Sequence, residues 1–282
     1  VTDVPELDPS LANRAAPPGS MRYFALLYTP EERRDALNAL FLIEAEIRES
    51  VASASHDVAH TRLRWWRAEV DRLVNGSPQH PAARTLHALH RGPLDTFAKL
   101  HELLAAADMD LARMTYANAR ELRAYCARSG GAFAELLAHE LSDDGRLDEA
   151  TRSAAHALGV GIRHAEILRD TRQDAHDGRI YFPLEMLDTH SVEPAALNKP
   201  DISEPTRRVL RAFKELAERE FERPQLDSAQ LALLRPLLVL AGLHRRLLTR
   251  IATRNYEVAK ERIDLGPIEK PWAAWRAARS RK

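Results

Sequence analysis

Only one cysteine, Cys126, occurs in 282 residues, which excludes a disulfide framework and any cysteine-rich zinc site. It reads as a small core residue in a reducing compartment. Surplus charge of either sign is missing too: Lys plus Arg number 41, and so do Asp plus Glu. No global field then draws the chain to nucleic acid or to an anionic membrane, and any anion site must be local. No apolar run reaches the roughly 18 residues of a membrane-spanning helix. Val1 to Ser20 lacks the basic and apolar regions of a signal peptide. The location expected is cytoplasmic. A Gly-x-Ser-x-Gly elbow, a Walker loop and a dinucleotide fingerprint are all absent, which removes the commonest hydrolase, nucleotide-binding and redox readings.

Strand signals are scarce as well, because no stretch alternates apolar and polar residues for long and the apolar residues are mostly the helix formers Leu and Ala. What is present has helical period. Leu63, Trp66, Val70 and Leu73 fall on one stripe, as do Leu86 and Leu89, then Leu94, Phe97 and Leu100 beyond the Gly92-Pro93 break. Thr29-Pro30-Glu31-Glu32 has the pattern of a capping box opening a helix that runs to about Ser50. Further helices are expected near 118–141, 149–175, 204–222, 227–257 and 268–280. Turns are expected at Asp143-Asp144-Gly145, around Asp177-Gly178 and across Ser191 to Pro205. Residues 1–20 read as an irregular N-terminal arm, and 21–282 as a single all-α domain.

Several other features have a bland reading and a sharper one. Gly159 and Gly161 sit within a helical pattern at a cost of about 1 kcal/mol each relative to alanine. Close helix approach explains them, as does room for a hydrocarbon chain. In the adjacent pair Trp65-Trp66 only one ring can join the core stripe; Trp66 is assigned there and Trp65 to the rim. His56 with His60, and His87 with His90, have ligand-like spacing, yet they read as surface or capping groups. Arg207-Arg208 and Arg245-Arg246 read as solvated helix faces, not polyanion tracks. At the C-terminal end Arg276, Arg279, Arg281 and Lys282 lie beside Trp272 and Trp275. That composition suits a solvated tail and also peripheral contact with the inner face of a membrane.

The most informative stretch is Leu168 to Pro183. Asp170 and Asp174, one helical turn apart, would project from one face about 5–6 Å apart. Hard cations such as Mg²⁺ take such oxygen ligands together with phosphate oxygens. Arg169, Arg172 and Arg179 would add anion-binding forks.

That stretch, Leu-Arg-Asp-x-x-x-Asp-Ala-x-x-Gly-Arg-x-Tyr-x-Pro, resembles the second aspartate-rich motif of the squalene/phytoene synthase family. Tyr23 to Leu27 with Pro30 and Arg34, Leu63 to Arg67 with His80-Pro81, and Arg262 to Leu265 with Lys270 resemble other family segments in the same order. The resemblance spans about residues 20–275. It implies an isoprenoid-synthase-like bundle around a central cavity and an isoprenoid diphosphate as substrate. It also implies Mg²⁺ on Asp170 and Asp174, with Asp170, Asp174 and Tyr181 as the catalytic set. Arg169, Arg172, Arg179, Arg48, Tyr23 and Arg34 would surround the substrate, and Tyr125 with Gly130-Gly131 would line the cavity.

Family enzymes also carry a first aspartate motif, near the end of the opening helix, and here its three aspartate positions read Arg48, Glu49 and Ala52. Two expectations follow. Either Arg48 pairs with Asp170 or Asp174 in place of a metal, or it meets the diphosphate directly. Glu44, Glu46 and Glu49 are the available displaced ligands. The stretch Ile43 to Glu49 also resembles the branch of the family that contains phytoene-synthase-like assembly factors of respiratory complex I. That likeness implies a non-catalytic role with a lipid or protein partner as the alternative to Mg²⁺-dependent prenyl transfer.

Overall fold

The computed structural model describes residues 8–53, 55–222 and 226–280. Among these the chain is helical, with no strand. The helices are α1 (Pro9–Ala15), α2 (Met21–Leu27), α3 (Arg34–Ser50), α4 (His56–Val74), α5 (Pro81–Leu89), α6 (Leu100–Leu111), α7 (Ala119–Cys126), α8 (Ala132–Leu141), α9 (Glu149–Arg169), α10 (Thr171–His176), α11 (Leu184–Thr189), α12 (Glu204–Glu220), α13 (Ser228–Leu233), α14 (Arg235–Thr253) and α15 (Glu269–Arg279).

Helix α9 is central: from Ala154 to Leu168 none of its residues is exposed, polar ones included. Asp148 caps its start by accepting from the Thr151 amide at 2.7 Å. It packs against α8, α12 and α14. Its glycines are used for close approach: a Cβ on Gly159 would lie 2.1 Å from the Gly130 carbonyl oxygen, and one on Gly161 would meet the Phe221 ring at 2.8 Å. Gly130 belongs to a π-helical turn, Ala127–Gly131, joining α7 to α8. Such wide turns frequently mark functional sites.

Trp66 is buried at 4% exposure and Trp65 stands out at 43%, as the 100° rotation between neighbours requires. Cys126 is buried. Several local expectations are corrected. Residues 9–15 of the supposed irregular arm form a helix that packs on α3 and buries Ala15; residues 1–7 lie outside the described residues. The Thr29 hydroxyl donates backward to the Ala25 carbonyl at 3.1 Å, closing α2 instead of capping the next helix. A 3-10 turn, Glu31–Arg33, intervenes before α3. His90 is no surface group, since its Nδ1 lies 2.6 Å from Glu140 and its side chain is buried. The helix expected over 149–175 breaks at Asp170, whose φ of −95° and ψ of 12° end α9. At the break the Thr171 hydroxyl donates back to the Leu168 carbonyl at 2.8 Å, a contact that often bends helices.

Candidate functional site

A cavity of about 450 Å³ opens between α2, α3, α6, α8, α9, α14 and the segment leading into α15. Its polarity follows from the order of side chains along each helix. On α3 the lining runs from Phe41 to Glu44 and Arg48; on α6 from Leu103 to Asp110; on α9 from Gly159 and Ile162 to Arg163, Glu166 and Arg169; on α14 from Leu237 to His244. The charged members meet. Arg48 Nη1 lies 3.1 Å from Glu166, Asp110 accepts from Tyr125 at 3.0 Å, and His244 stands 4.0 Å from Glu166. One end is therefore ionic and the rest apolar, a shape suited to an amphiphile with an anionic head. The carboxyl ends of α3, α6 and α9 converge at the ionic end, where helix dipoles favour cations, and guanidinium groups supply them.

Glu166 is the hub of the ionic end. Burial alone would raise its carboxyl, but Arg48, Arg169, Arg163 and His244 hold it well below the usual range. Glu44 is likewise buried and likewise lowered, by Arg22 and Arg48; Arg22 bonds its Oε2 and Arg48 stands 3.2 Å from its Oε1. Arg48 is 40% exposed on its side chain, and it lines the cavity. Burial depresses its charge, but Glu166 and Glu44 outweigh that.

Arg163 is more enclosed, at 6% exposure. Its guanidinium lies 5.4 Å from the Tyr125 ring centre and 5.2 Å from that of Tyr181, and donates to the Tyr125 hydroxyl at 2.8 Å. Its Nε has no hydrogen-bond partner among the described residues. Tyr181 donates to Asp110 at 2.6 Å. Burial, reinforced by Tyr125 and Asp110, pushes the Tyr181 phenol well above its ordinary value.

The structure brings some of the expected residues together and disperses others. Asp170 lines the cavity, and both its oxygens are occupied: Arg169 donates to each, and Arg262 Nε donates to Oδ1 at 2.8 Å. Burial opposes its ionisation but these two arginines lower its pKa. Asp174, one turn on, receives Arg179 at 3.6 Å; it is not among the residues lining the cavity. Burial pushes its carboxyl up to about 6, with Asp170 adding to the rise against Arg163 and Arg179. Arg179 also binds Asp177 at 2.7 Å. Arg172 turns outward to the Lys260 carbonyl. Tyr23 packs edge-on against Phe24, and Arg34 ties off the Thr29 carbonyl at 3.2 Å; neither lines the cavity.

Arg48 does reach the site, but it pairs with Glu44 and Glu166 and not with Asp170 or Asp174. Glu46 and Glu49 are engaged by Arg14, and Glu46 by His80 as well. No group of three or more His, Cys, Asp or Glu is arranged to hold a metal among the described residues. Sequence reasoning missed Glu166, Arg163, Asp110 and Arg22. A signal existed for Glu166, which continues the four-residue spacing of Asp170 and Asp174 upstream. None existed for Asp110, which lies on a separate helix.

Among the described residues the chain is thus an all-α bundle around a cavity that is apolar along most of its wall and ionic at one end. The squalene/phytoene synthase family model matches residues 16–269, and the chain belongs to that family. Phytoene synthase of Mycobacterium tuberculosis is 28% identical over 262 residues, 89% of this chain and 84% of that protein. The chloroplastic phytoene synthase 1 of Arabidopsis thaliana is 26% identical over 253 residues, 87% of this chain and 59% of its own length. Among solved structures, a dehydrosqualene synthase with bound ligand superimposes with a TM-score of 0.82 at 17% identity, covering 95% of this chain and 94% of that one. A squalene synthase from Alicyclobacillus acidocaldarius gives 0.71 at 19%, over 88% and 94%. The likeness to these structures is one of fold.

Proposed function

We propose that the protein holds an isoprenoid diphosphate, or an anionic lipid of that kind, in the central cavity without condensing it. The observation that carries this reading is the pairing of the site's carboxylates with arginines. Family synthases, as the resemblance describes them, ionise two allylic diphosphates with Mg²⁺ held between two facing sets of aspartates. Mg²⁺ would supply Lewis-acid neutralisation of the leaving pyrophosphate, and the residues present do not fit it. Arg48 occupies the first set, Glu44 and Glu166 are bound to guanidinium groups, and both oxygens of Asp170 are engaged by Arg169 and Arg262.

The cavity's own residues do the binding instead. Seven basic side chains line it against five acidic ones, an excess that suits a diphosphate head. Arg163 pairs with Glu166 at 3.4 Å and keeps a buried Nε without a partner among the described residues. Arginine forks bind phosphate oxygens two at a time. The apolar wall, from Phe133 and Leu137 to Leu237 and Leu240, takes the hydrocarbon tail.

Mg²⁺-dependent prenyl transfer is the second reading, favoured by the retention of both Asp170 and Asp174 one turn apart. Purified protein incubated with farnesyl or geranylgeranyl diphosphate and Mg²⁺ separates the two. Binding with no pyrophosphate released supports the first. Release that disappears in Asp170→Asn establishes the second. An assembly role shares the non-catalytic expectation and differs in adding a protein partner on the exterior.

A further inference from the structure

Helix α15 divides into two faces. Ala273 and Ala274 are buried and the helix packs on α14 and α2, so closely that a Cβ on Gly242 would lie 2.4 Å from that of Ala277. The outward face carries Ile268 just before the helix, then Trp272, Trp275, Arg276 and Arg279. These positions are spaced by three and four residues and so form one stripe. Ile268 is 84% exposed, Trp272 47% and Trp275 46%. Each tryptophan has an arginine laid across it: Arg276 stands 4.7 Å from the Trp272 ring centre and Arg279 4.4 Å from that of Trp275. Neither arginine makes an ion pair among the described residues. The one acid of the helix, Glu269, is turned away to Arg246 and Arg250, so the stripe is aromatic and cationic without a carboxylate.

We propose that this stripe docks the protein on the surface of an anionic lipid bilayer. Indole rings partition to the headgroup level, and arginines above them pair with lipid phosphates. The charge pattern selects this occupant over a second copy of the chain. A two-fold contact through the stripe would set Arg276 and Arg279 against their own equivalents without an acid between them. Helix α15 itself borders the cavity, on the face turned away from the stripe. Lys270, on the first turn of α15, lines the cavity, and so do Met21 and Arg22 of α2.

The test is co-sedimentation of the full chain with vesicles of phosphatidylcholine alone and of an equimolar mixture with phosphatidylglycerol. The anionic vesicles should bind it, and added salt should weaken that binding. Losing each arginine should cost about fivefold in affinity, so Arg276→Gln/Arg279→Gln together should lose roughly thirtyfold. Trp272→Ser/Trp275→Ser should abolish binding while leaving the circular dichroism spectrum and melting temperature unchanged. Equal partition to both vesicle types, no partition, or variants that bind like the parent would overturn the proposal. So would a dimer, seen by light scattering, that the tryptophan variant dissociates. Farnesyl diphosphate binding to the protein in solution should be the same in all these variants. Its failure in every protein tested would count against the cavity reading alone.

Discussion

Removing an aspartate from the family's signature motif should make this protein more stable. Asp174 has a side chain only 15% exposed, and burial lifts its carboxyl from an ordinary 3.8 to about 6. A folded-state pKa above the unfolded one means that the native protein binds the proton more tightly over that window. Stability therefore falls as the pH rises from about 4 to 6, and the full penalty persists at higher pH. Two units correspond to roughly 3 kcal/mol at 1.36 kcal/mol each. The lost contact with Arg179 reduces the net gain to about 1–3 kcal/mol. Asparagine has the same shape without the charge. Urea denaturation of Asp174→Asn and the parent should give a gap near zero at pH 4 that grows to its maximum above pH 6. A variant less stable than the parent at pH 8, or a gap that ignores pH, would refute the assignment of Asp174 as a poorly solvated carboxylate. So would a parent whose melting temperature climbs with millimolar Mg²⁺ at pH 8, since a metal held by Asp170 and Asp174 would stabilise the folded state.

Other outcomes follow from the same geometry. Arg48→Ala leaves Glu44 and Glu166 short of a partner in the ionic end, which should cost about 2–4 kcal/mol in urea denaturation and weaken farnesyl diphosphate binding in calorimetry. An unaltered midpoint would contradict its bridging role. Gly159→Ala drives a methyl into the Gly130 carbonyl and should destabilise by about 1–3 kcal/mol, read as a lower melting temperature; a neutral result would mean that α9 and the π-helical turn are not in contact. Tyr181→Phe deletes the hydrogen bond to Asp110 and should cost about 1–2 kcal/mol, with no change if that hydroxyl is solvated.

The helical architecture was legible because leucine and alanine recur with a 3.6-residue period, and the stripe Leu63, Trp66, Val70, Leu73 is buried as that period requires. The break at Asp170 was not, since the helical period of the flanking residues continues through it and only the backbone dihedrals of Asp170 reveal it. Of the motif, Arg169 and Asp170 line the cavity, and Arg172, Asp174, Arg179 and Tyr181 are not among its lining residues. Pairing within the ionic end lay beyond sequence, because Arg48, Asp110, Arg163 and Glu166 come from three helices and any of the guanidiniums could have taken any carboxylate. Tyr23 was singled out where its neighbour Arg22 reaches Glu44 and the Phe41 carbonyl, a difference of one residue that rotates a side chain by about 100°. Arg262 was noted only as part of a family segment, and its bond to Asp170 emerges from the fold.

The central claim is that arginines, and not a divalent cation, neutralise the anionic head of whatever occupies the cavity. Calorimetric titration of the protein with farnesyl diphosphate, once with Mg²⁺ and once with excess EDTA, tests it most directly. The same affinity in both conditions, reduced in Arg48→Ala, is the expected result. Binding that appears only with Mg²⁺ and vanishes in Asp170→Asn would contradict the account.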